Sequence, residues 1–196
     1  MKLLYLHGLA SSKDSNTAKI ISDYFIDDEV LAIDIESNPR EAIIQIFNTI
    51  QEFNPNIIVG TSLGGFYASL FGGPIKVLIN PALKPDEEII KVLKTYGEHE
   101  YLKKRKEKTF TYTESDEEMF RKIRKTFLDY ILDNEFIYET FAVFGNEDEV
   151  VQDKDYFIDN YGKENVIEIN AQHRLTDENI KNDIIPLISK IKYLCC

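Results

Sequence analysis

Six short runs of apolar or β-branched residues recur along the chain, and most of them end at Gly, Asn, Asp or Pro. Continuous runs of this kind are typical of strands buried on both faces of a parallel sheet. The predicted strands are Lys2–Leu6, Val30–Ile35, Asn56–Gly60, Lys76–Asn80, Thr140–Phe144 and Asn165–Ile169. Helical patterns lie between them at Arg40–Phe53, Leu63–Phe71, Asp155–Tyr161 and Asp177–Tyr193. This alternation predicts an α/β domain with right-handed crossovers.

The alternation breaks between about residues 85 and 139, where no strand pattern is convincing. Helices are predicted there at Asp86–Tyr96 and at Ser115–Leu132, the second opened by a capping-type start at Ser115. The insertion separates two strands that should be neighbours in the sheet. We therefore expect residues 85–139 to form a helical cap over one edge of the sheet.

Lys103–Lys108 is a basic cluster inside this insertion. It could bind an anionic substrate or partner, although a solvated surface segment is the favoured interpretation. Thr109–Thr113 follows it and alternates like a strand, which predicts a small hairpin or an extended loop.

Length and charge exclude several classes of protein. The chain has 196 residues and a net charge of −11, which indicates one acidic domain over residues 1–196 and argues against a nucleic-acid binder. No apolar run approaches the roughly 20 residues that a membrane span needs, and no signal peptide is recognisable. Cys195 and Cys196 are adjacent and imply no disulfide framework, so a cytoplasmic location is expected.

Ser62 lies in the sequence Gly60-Thr61-Ser62-Leu63-Gly64-Gly65, directly between a predicted strand and a predicted helix. This context is the one that the G-x-S-x-G nucleophile elbow requires, because a sharp turn there exposes the serine hydroxyl. The following helix N-terminus offers N–H groups to a developing oxyanion. The alternative is a tight turn of purely structural kind.

His7-Gly8-Leu9 ends the first predicted strand, at the same edge of the sheet as the elbow. Such a loop resembles the oxyanion loop of α/β-hydrolases, with the main-chain N–H groups of Leu9 and Leu63 as the two donors. On this interpretation His7 braces the loop and is not the base.

A serine nucleophile needs a base, and His173 is the candidate because it follows the last predicted strand. His99 lies among charges in the insertion and is interpreted as a surface residue. The third group should be a carboxylate after the strand between Ser62 and His173. Asp148 is preferred there, with Glu147 and Glu149 as alternatives, and the order Ser, Asp, His is the one found in α/β-hydrolases.

These motifs together resemble the small, single-domain YqiA-like esterase family within the α/β-hydrolases. The resemblance rests on Leu4–Ser12, Gly60–Ala68, Asn80-Pro81-Ala82, Gly145–Val150 and His173. It implies about six mainly parallel strands with helices on both faces, and Asp148 as the acid of the triad. It also implies an intracellular carboxylesterase, with Asn80-Pro81-Ala82 shaping the pocket floor. Arg174-Leu175 and the long charged insertion depart from the family pattern, which bears on substrate size.

The predicted function is therefore a serine carboxylesterase that cleaves small or medium acyl esters through an acyl-enzyme. Ser62 attacks, His173 transfers the proton and Asp148 orients it, so no metal or organic cofactor is required. The expected partner is a small-molecule ester, and nothing in the sequence indicates an oligomeric state. The alternatives are an acyl thioesterase or acyltransferase on the same triad and, less favoured, a non-enzymatic binding protein.

Overall fold

The computed structural model describes residues 1–89, 113–133 and 140–194. Its strands are β1 (Lys2–Leu6), β2 (Glu29–Ile33), β3 (Ile57–Thr61), β4 (Ile75–Ile79), β5 (Thr140–Gly145) and β6 (Val166–Ile169). They form one sheet in the order β2-β1-β3-β4-β5-β6, and every neighbouring pair is parallel. The predicted parallel sheet is confirmed, and each strand overlaps the apolar run that predicted it.

Helices connect the strands. They are α1 (Asn16–Tyr24), α2 (Pro39–Phe53), α3 (Leu63–Ser69), α4 (Glu114–Asp133), α5 (Lys154–Tyr161), α6 (Asp177–Asn179) and α7 (Ile185–Leu194). A 3₁₀ turn, Lys163–Asn165, precedes β6, and a π-helical turn, Ile180–Ile184, joins α6 to α7. In the described part of the chain, no helix has both the length and the apolar character that crossing a membrane would need.

The sheet is covered on both faces, as predicted, because its side chains alternate between two apolar cores. In β1, Leu4 and Leu6 belong to the first core, whereas Leu3 and Tyr5 belong to the second. The first core receives Ile46, Phe66, Phe120 and Phe157 from α2, α3, α4 and α5, and the second receives Ile21 and Ile188 from α1 and α7. The central strands are thus fully buried, which explains why their sequences are continuously apolar.

Helix α1 is a described element that the sequence patterns do not predict. It begins after Ser15, whose Oγ accepts a hydrogen bond from the N–H of Ala18 at 3.3 Å. Within the helix only Ala18 and Ile21 are buried, so the apolar stripe is narrow and most positions are polar. The N-cap serine followed by apolar residues at Ala18, Ile21 and Phe25 is the signal that could have identified it.

Helix α4 agrees with the helix predicted at Ser115–Leu132, but the predicted capping start at Ser115 is wrong, because the helix begins at Glu114. Thr113 forms the capping box: its Oγ1 accepts from the N–H of Asp116 at 3.3 Å, and its own N–H donates to Asp116 Oδ2 at 2.9 Å. Phe120 packs edge-on against Phe66, with 5.8 Å between ring centroids. This helix therefore lies in the layer that covers the first core.

The rest of the predicted insertion falls mostly outside the described residues. A helix starts at Pro85 and is described to residue 89, so the prediction of Asp86–Tyr96 is met in its first turn. The basic cluster Lys103–Lys108, His99, residues 109–112 and the pair Cys195-Cys196 all lie outside the described ranges. The cap over the sheet edge stays a prediction.

Lys84 and Asp153 form an ion pair between the segment after β4 and the start of α5. Asp153 is fully buried, and its carboxylate accepts from the Lys84 backbone N–H at 3.0 Å and lies 3.1 Å from Lys84 Nζ. Burial acts to lower the pKa of Lys84, but the Asp153 carboxylate outweighs it and raises that pKa above its usual value of 10.5. The lysine is therefore held charged beside its partner.

We expect Lys84→Met to lower the free energy of unfolding by about 3 kcal/mol, because it leaves the buried Asp153 charge without a counter-ion. The matched control is Lys154→Met, which removes an exposed pair with Glu168 and should cost less than about 1 kcal/mol. Urea unfolding of both variants measures the difference. Because the Lys84 pKa is raised in the fold, its stabilisation is complete at neutral pH and is lost only as the pH rises through that raised pKa. Equal losses in the two variants would contradict the prediction.

Candidate active site

The carboxyl ends of five strands meet at one edge of the sheet and bring the candidate residues together. His7 follows β1, Ser62 follows β3 and Asn80 follows β4. The loop after β5 carries Asp148, and the loop after β6 carries His173. Because all neighbouring strands are parallel, these ends share an edge, which is where open α/β sheets bind ligands.

Ser62 occupies a sharp turn between β3 and α3. Its φ of 53° and ψ of −118° lie in a region that residues with a side chain rarely adopt. The turn is held from the next strand: the Ser62 N–H donates to the Ile79 carbonyl at 2.9 Å, and the Ser62 carbonyl accepts from the Ala82 N–H at 3.1 Å. This is the geometry of a nucleophile elbow, with the side chain left at the edge of the sheet.

The glycines on either side of Ser62 are required by close backbone contacts. A Cβ on Gly64 would collide with the Leu6 carbonyl group, and a Cβ on Gly60 would collide with the carbonyl group of Gly64. The helix start and β1 are thus packed backbone to backbone. This explains physically why the elbow sequence carries glycine two residues before and two residues after the serine.

His173 bridges Ser62 and Asp148. Its Nε2 lies 3.1 Å from Ser62 Oγ, and its Nδ1 lies 2.7 Å from Asp148 Oδ2. An ionised Asp148 can only accept, so Nδ1 carries the proton and Nε2 is left to accept from the Ser62 hydroxyl. The side chain of Asp148 is 4% exposed and that of His173 is 18% exposed, so the imidazole stands between a buried carboxylate and solvent.

The loop after β5 carries three acidic residues, and only Asp148 among them contacts His173. Asp148 Oδ1 accepts from the N–H groups of Val150 at 2.8 Å and Val151 at 3.0 Å, which fixes the carboxylate and turns Oδ2 toward the imidazole. Glu147 and Glu149 are exposed. The structure therefore brings Asp148 to His173 and leaves the two alternative acids at the surface.

The loop after β1 lies against the serine. A Cβ on Gly8 would lie 3.1 Å from Ser62 Cβ, and the loop turns through a left-handed Ala10 with the Ser11 N–H donating to the Gly8 carbonyl at 3.2 Å. Leu63 is the first residue of α3, where helical N–H groups lack an intrahelical partner. Among the described residues, none accepts a hydrogen bond from the N–H of Leu9 or of Leu63. Both amides that were predicted to bind an oxyanion are thus available.

His7 is buried and both of its ring nitrogens are engaged. Its Nε2 accepts from the Ile35 N–H at 3.1 Å, so Nδ1 carries the proton and donates to the Gly8 carbonyl at 2.7 Å. These bonds hold the loop that leads to Leu9, in agreement with the predicted bracing role.

The sequence analysis expects Asn80 only to help shape a pocket floor. In the structure it also makes hydrogen bonds at this edge of the sheet. Its buried carboxamide contacts both loops that carry Asp148 and His173. The signal in the sequence is an asparagine directly after a buried strand, a residue that tolerates left-handed backbone better than most.

The part of the chain that the structure describes contains no group of three His, Cys, Asp or Glu residues suited to binding a metal ion.

The fold is that of the α/β-hydrolases. The structure is similar to mouse alpha/beta hydrolase domain-containing protein 10, with a TM-score of 0.69 and 16% identity over 98% of this chain and 90% of that one. It is also similar to the monoacylglycerol lipase of Paleococcus ferrophilus, with a TM-score of 0.67 and 14% identity over 96% of this chain and 93% of the lipase. At these identities the likeness establishes the fold.

The chain belongs to UPF0227, which is described as an uncharacterised protein family and whose model matches residues 2–188. Among the relatives, the UPF0227 protein of Vibrio atlanticus (strain LGP32) is 32% identical over 98 residues, which is 45% of this chain and 55% of that protein. The chain thus spans about half the length of the curated relatives that it matches.

We expect Gly64→Ala to destabilise the protein by at least about 3 kcal/mol, because its methyl group would meet the Leu6 backbone, which cannot move without disturbing β1. The matched variant is Gly8→Ala, whose methyl group would lie 3.1 Å from Ser62 Cβ and 3.2 Å from the Thr61 carbonyl oxygen. These contacts are tight, but a shift of a few tenths of an ångström relieves them, so the change should cost about 1 kcal/mol. Urea unfolding compares the two. A Gly64→Ala protein as stable as Gly8→Ala would show that the elbow is not packed as described.

Proposed function

We propose that this chain is a serine hydrolase that cleaves carboxylic esters. The observation that carries the proposal is the pair of hydrogen bonds from His173 to Ser62 Oγ and to Asp148 Oδ2, at 3.1 and 2.7 Å. They link a hydroxyl on a strained turn to an imidazole and a buried carboxylate. The same arrangement of roles activates serine in hydrolases of several folds.

In the acylation step, Ser62 Oγ attacks the ester carbonyl carbon while His173 Nε2 accepts the hydroxyl proton. The carbonyl oxygen becomes an oxyanion beside the N–H groups of Leu9 and Leu63, whose dipoles are already oriented. The tetrahedral intermediate then breaks its bond to the alcohol oxygen, and His173 returns the proton to the leaving alcohol. The products are the acyl-enzyme on Ser62 and one free alcohol.

In the deacylation step, a water molecule takes the place of the alcohol. His173 accepts a proton from the water as its oxygen attacks the acyl carbon, and the same two amides receive the second oxyanion. Breaking the bond to Ser62 Oγ releases the acid and returns the proton to the serine. Asp148 stays ionised throughout and stabilises the imidazolium that forms in both steps.

We propose small and medium acyl esters as the substrate class. Ser62 and His173 are both partly exposed, so the carbonyl group of a short ester can reach Ser62 Oγ from solvent. The names of the structural neighbours, among them a monoacylglycerol lipase and a carboxylesterase of Nitrososphaera gargenis, support an ester substrate. A thioester would react by the same steps, with a thiol in place of the alcohol.

We propose further that residues 1–196 form one domain, with a helical cap within residues 85–139 over one edge of the sheet. The enzyme works in the cytoplasm, which is the location predicted from its cysteine usage. Limited proteolysis tests the first statement and cell fractionation tests the second.

We expect Ser62→Ala and His173→Ala each to lower kcat on a short nitrophenyl ester by about 10⁴ to 10⁶-fold, because either change removes the activated nucleophile. Both variants should fold, since both side chains are partly exposed. A fluorophosphonate probe should label the wild type and leave Ser62→Ala unlabelled. Equal labelling of the two proteins would rule out Ser62 as the nucleophile. Parallel assays with acyl thioesters and with alcohol acceptors would identify a thioesterase or an acyltransferase.

We expect Asp148→Asn to lower kcat by about 10⁴-fold, because the amide can no longer hold the Nδ1-protonated imidazole or stabilise its cation. Glu147→Gln and Glu149→Gln are the matched controls, since each removes one negative charge from the same loop at an exposed position. Both controls should keep kcat within about twofold. A loss in Glu147→Gln or Glu149→Gln as large as that in Asp148→Asn would reassign the acid.

A further inference from the structure

Asn80 is a buried polar residue placed between the two loops that carry the proposed base and acid. It follows β4 directly, it is 1% exposed, and its φ of 42° is left-handed. Its backbone N–H continues the sheet by donating to the Val143 carbonyl at 2.8 Å. The backbone therefore fixes the position of Asn80 independently of its side-chain contacts.

The side chain of Asn80 uses its donors and its acceptor on three backbone groups. Nδ2 donates to the carbonyl oxygens of Gln172 and His173, both at 3.1 Å. Oδ1 accepts from the N–H of Gly145 at 2.7 Å. One planar carboxamide thus connects the end of β5, three residues before Asp148, to the backbone of His173 itself.

These three backbone groups lie at or just beyond the end of the pairing between β5 and β6. The β5–β6 ladder ends at Gly145 and Ile169, and the chain then diverges into the two loops. Buried carbonyl and N–H groups without partners cost about 1–3 kcal/mol each. The Asn80 carboxamide supplies the hydrogen bonds that a neighbouring strand would otherwise make to these groups. An aspartate at this position could accept from Gly145 but could not donate to the two carbonyl groups.

We propose that Asn80 is a positioning residue, which sets the backbone of His173 so that Nε2 meets Ser62 Oγ while Nδ1 meets Asp148. The kinetic part of this inference rests on the proposed hydrolase function, whereas the placement of the imidazole does not. Asn80 touches no reacting atom and acts through the His173 backbone. A displacement of about 1 Å in a catalytic group can cost about 10²-fold in rate, and that is the size of effect expected here.

The test compares Asn80→Asp and Asn80→Gly with the same two changes at Asn54. Asn54 is also left-handed, with φ of 49°, but it is exposed at the end of α2 and precedes β3, whereas Ser62 follows the carboxyl end of that strand. Asp keeps the size of the side chain and loses the donors. Gly removes the carboxamide and accepts the left-handed backbone without strain. The Asn54 variants therefore control for charge and for backbone freedom.

Two readouts are needed. The first is kinetic: kcat and KM on a nitrophenyl ester, and kcat/KM on the corresponding ethyl ester, whose poor leaving group depends on the proton from His173. The second is the ¹⁵N and ¹H spectrum of the imidazole groups, with the Nδ1–H signal of His173 assigned by its loss in His173→Ala. Urea unfolding of every variant separates loss of fold from loss of position.

Both Asn80 variants should lower kcat by about 10²-fold with KM within about threefold, and should lower kcat/KM further on the ethyl ester. The His173 Nδ1–H signal should shift or broaden, while the Asn54 variants match the wild type. An unchanged kcat with an unchanged signal would overturn the proposal, and so would a loss of activity that tracks unfolding alone. If the wild type cleaves no ester but the signal still moves in Asn80→Asp, the positioning holds and the hydrolase proposal fails.

Discussion

The backbone contact between the start of α3 and β1 is the constraint on which the rest of this structure depends. Gly64 lies against the Leu6 carbonyl group, and this contact sets how far the turn at Ser62 projects from the sheet. The Ser62 N–H and carbonyl group are then tied to Ile79 and Ala82, so the turn is held on two sides. Only with the hydroxyl fixed in this way can an imidazole from the opposite part of the chain meet it at 3.1 Å.

The polar groups at the sheet edge show how a buried charge is tolerated there. Asp148 has one oxygen bound by two backbone N–H groups and the other bound by His173, so its charge meets three donors after leaving water. Hydrogen bonds to an ionised group are stronger than neutral ones, and here they also fix direction. The backbone N–H groups of Val150 and Val151 thus orient the carboxylate so that its other oxygen contacts His173 Nδ1.

The strands, the elbow and His173 could be predicted because single local signals carry them: apolar runs, glycine spacing around Ser62 and a histidine after the last strand. Asp148 could not be separated from Glu147 and Glu149 by residue type, because the choice depends on an oxygen bound within a turn. Helix α1 was missed because only Ala18 and Ile21 in it are buried. The bonds of Asn80 join residues 65 to 93 positions apart, which no local pattern reports.

The order of the strands has a consequence for how the candidate site reassembles after unfolding. Ser62 and His173 are 111 residues apart, and His173 reaches Ser62 only when β6, at the outer edge of the sheet, has paired with β5. Contacts of such long range form late, because the loop-closure entropy must be overcome first. Helical content should therefore return before the imidazole group of His173 meets Ser62, so the contact between these two residues would report completion of the sheet, not collapse of the chain.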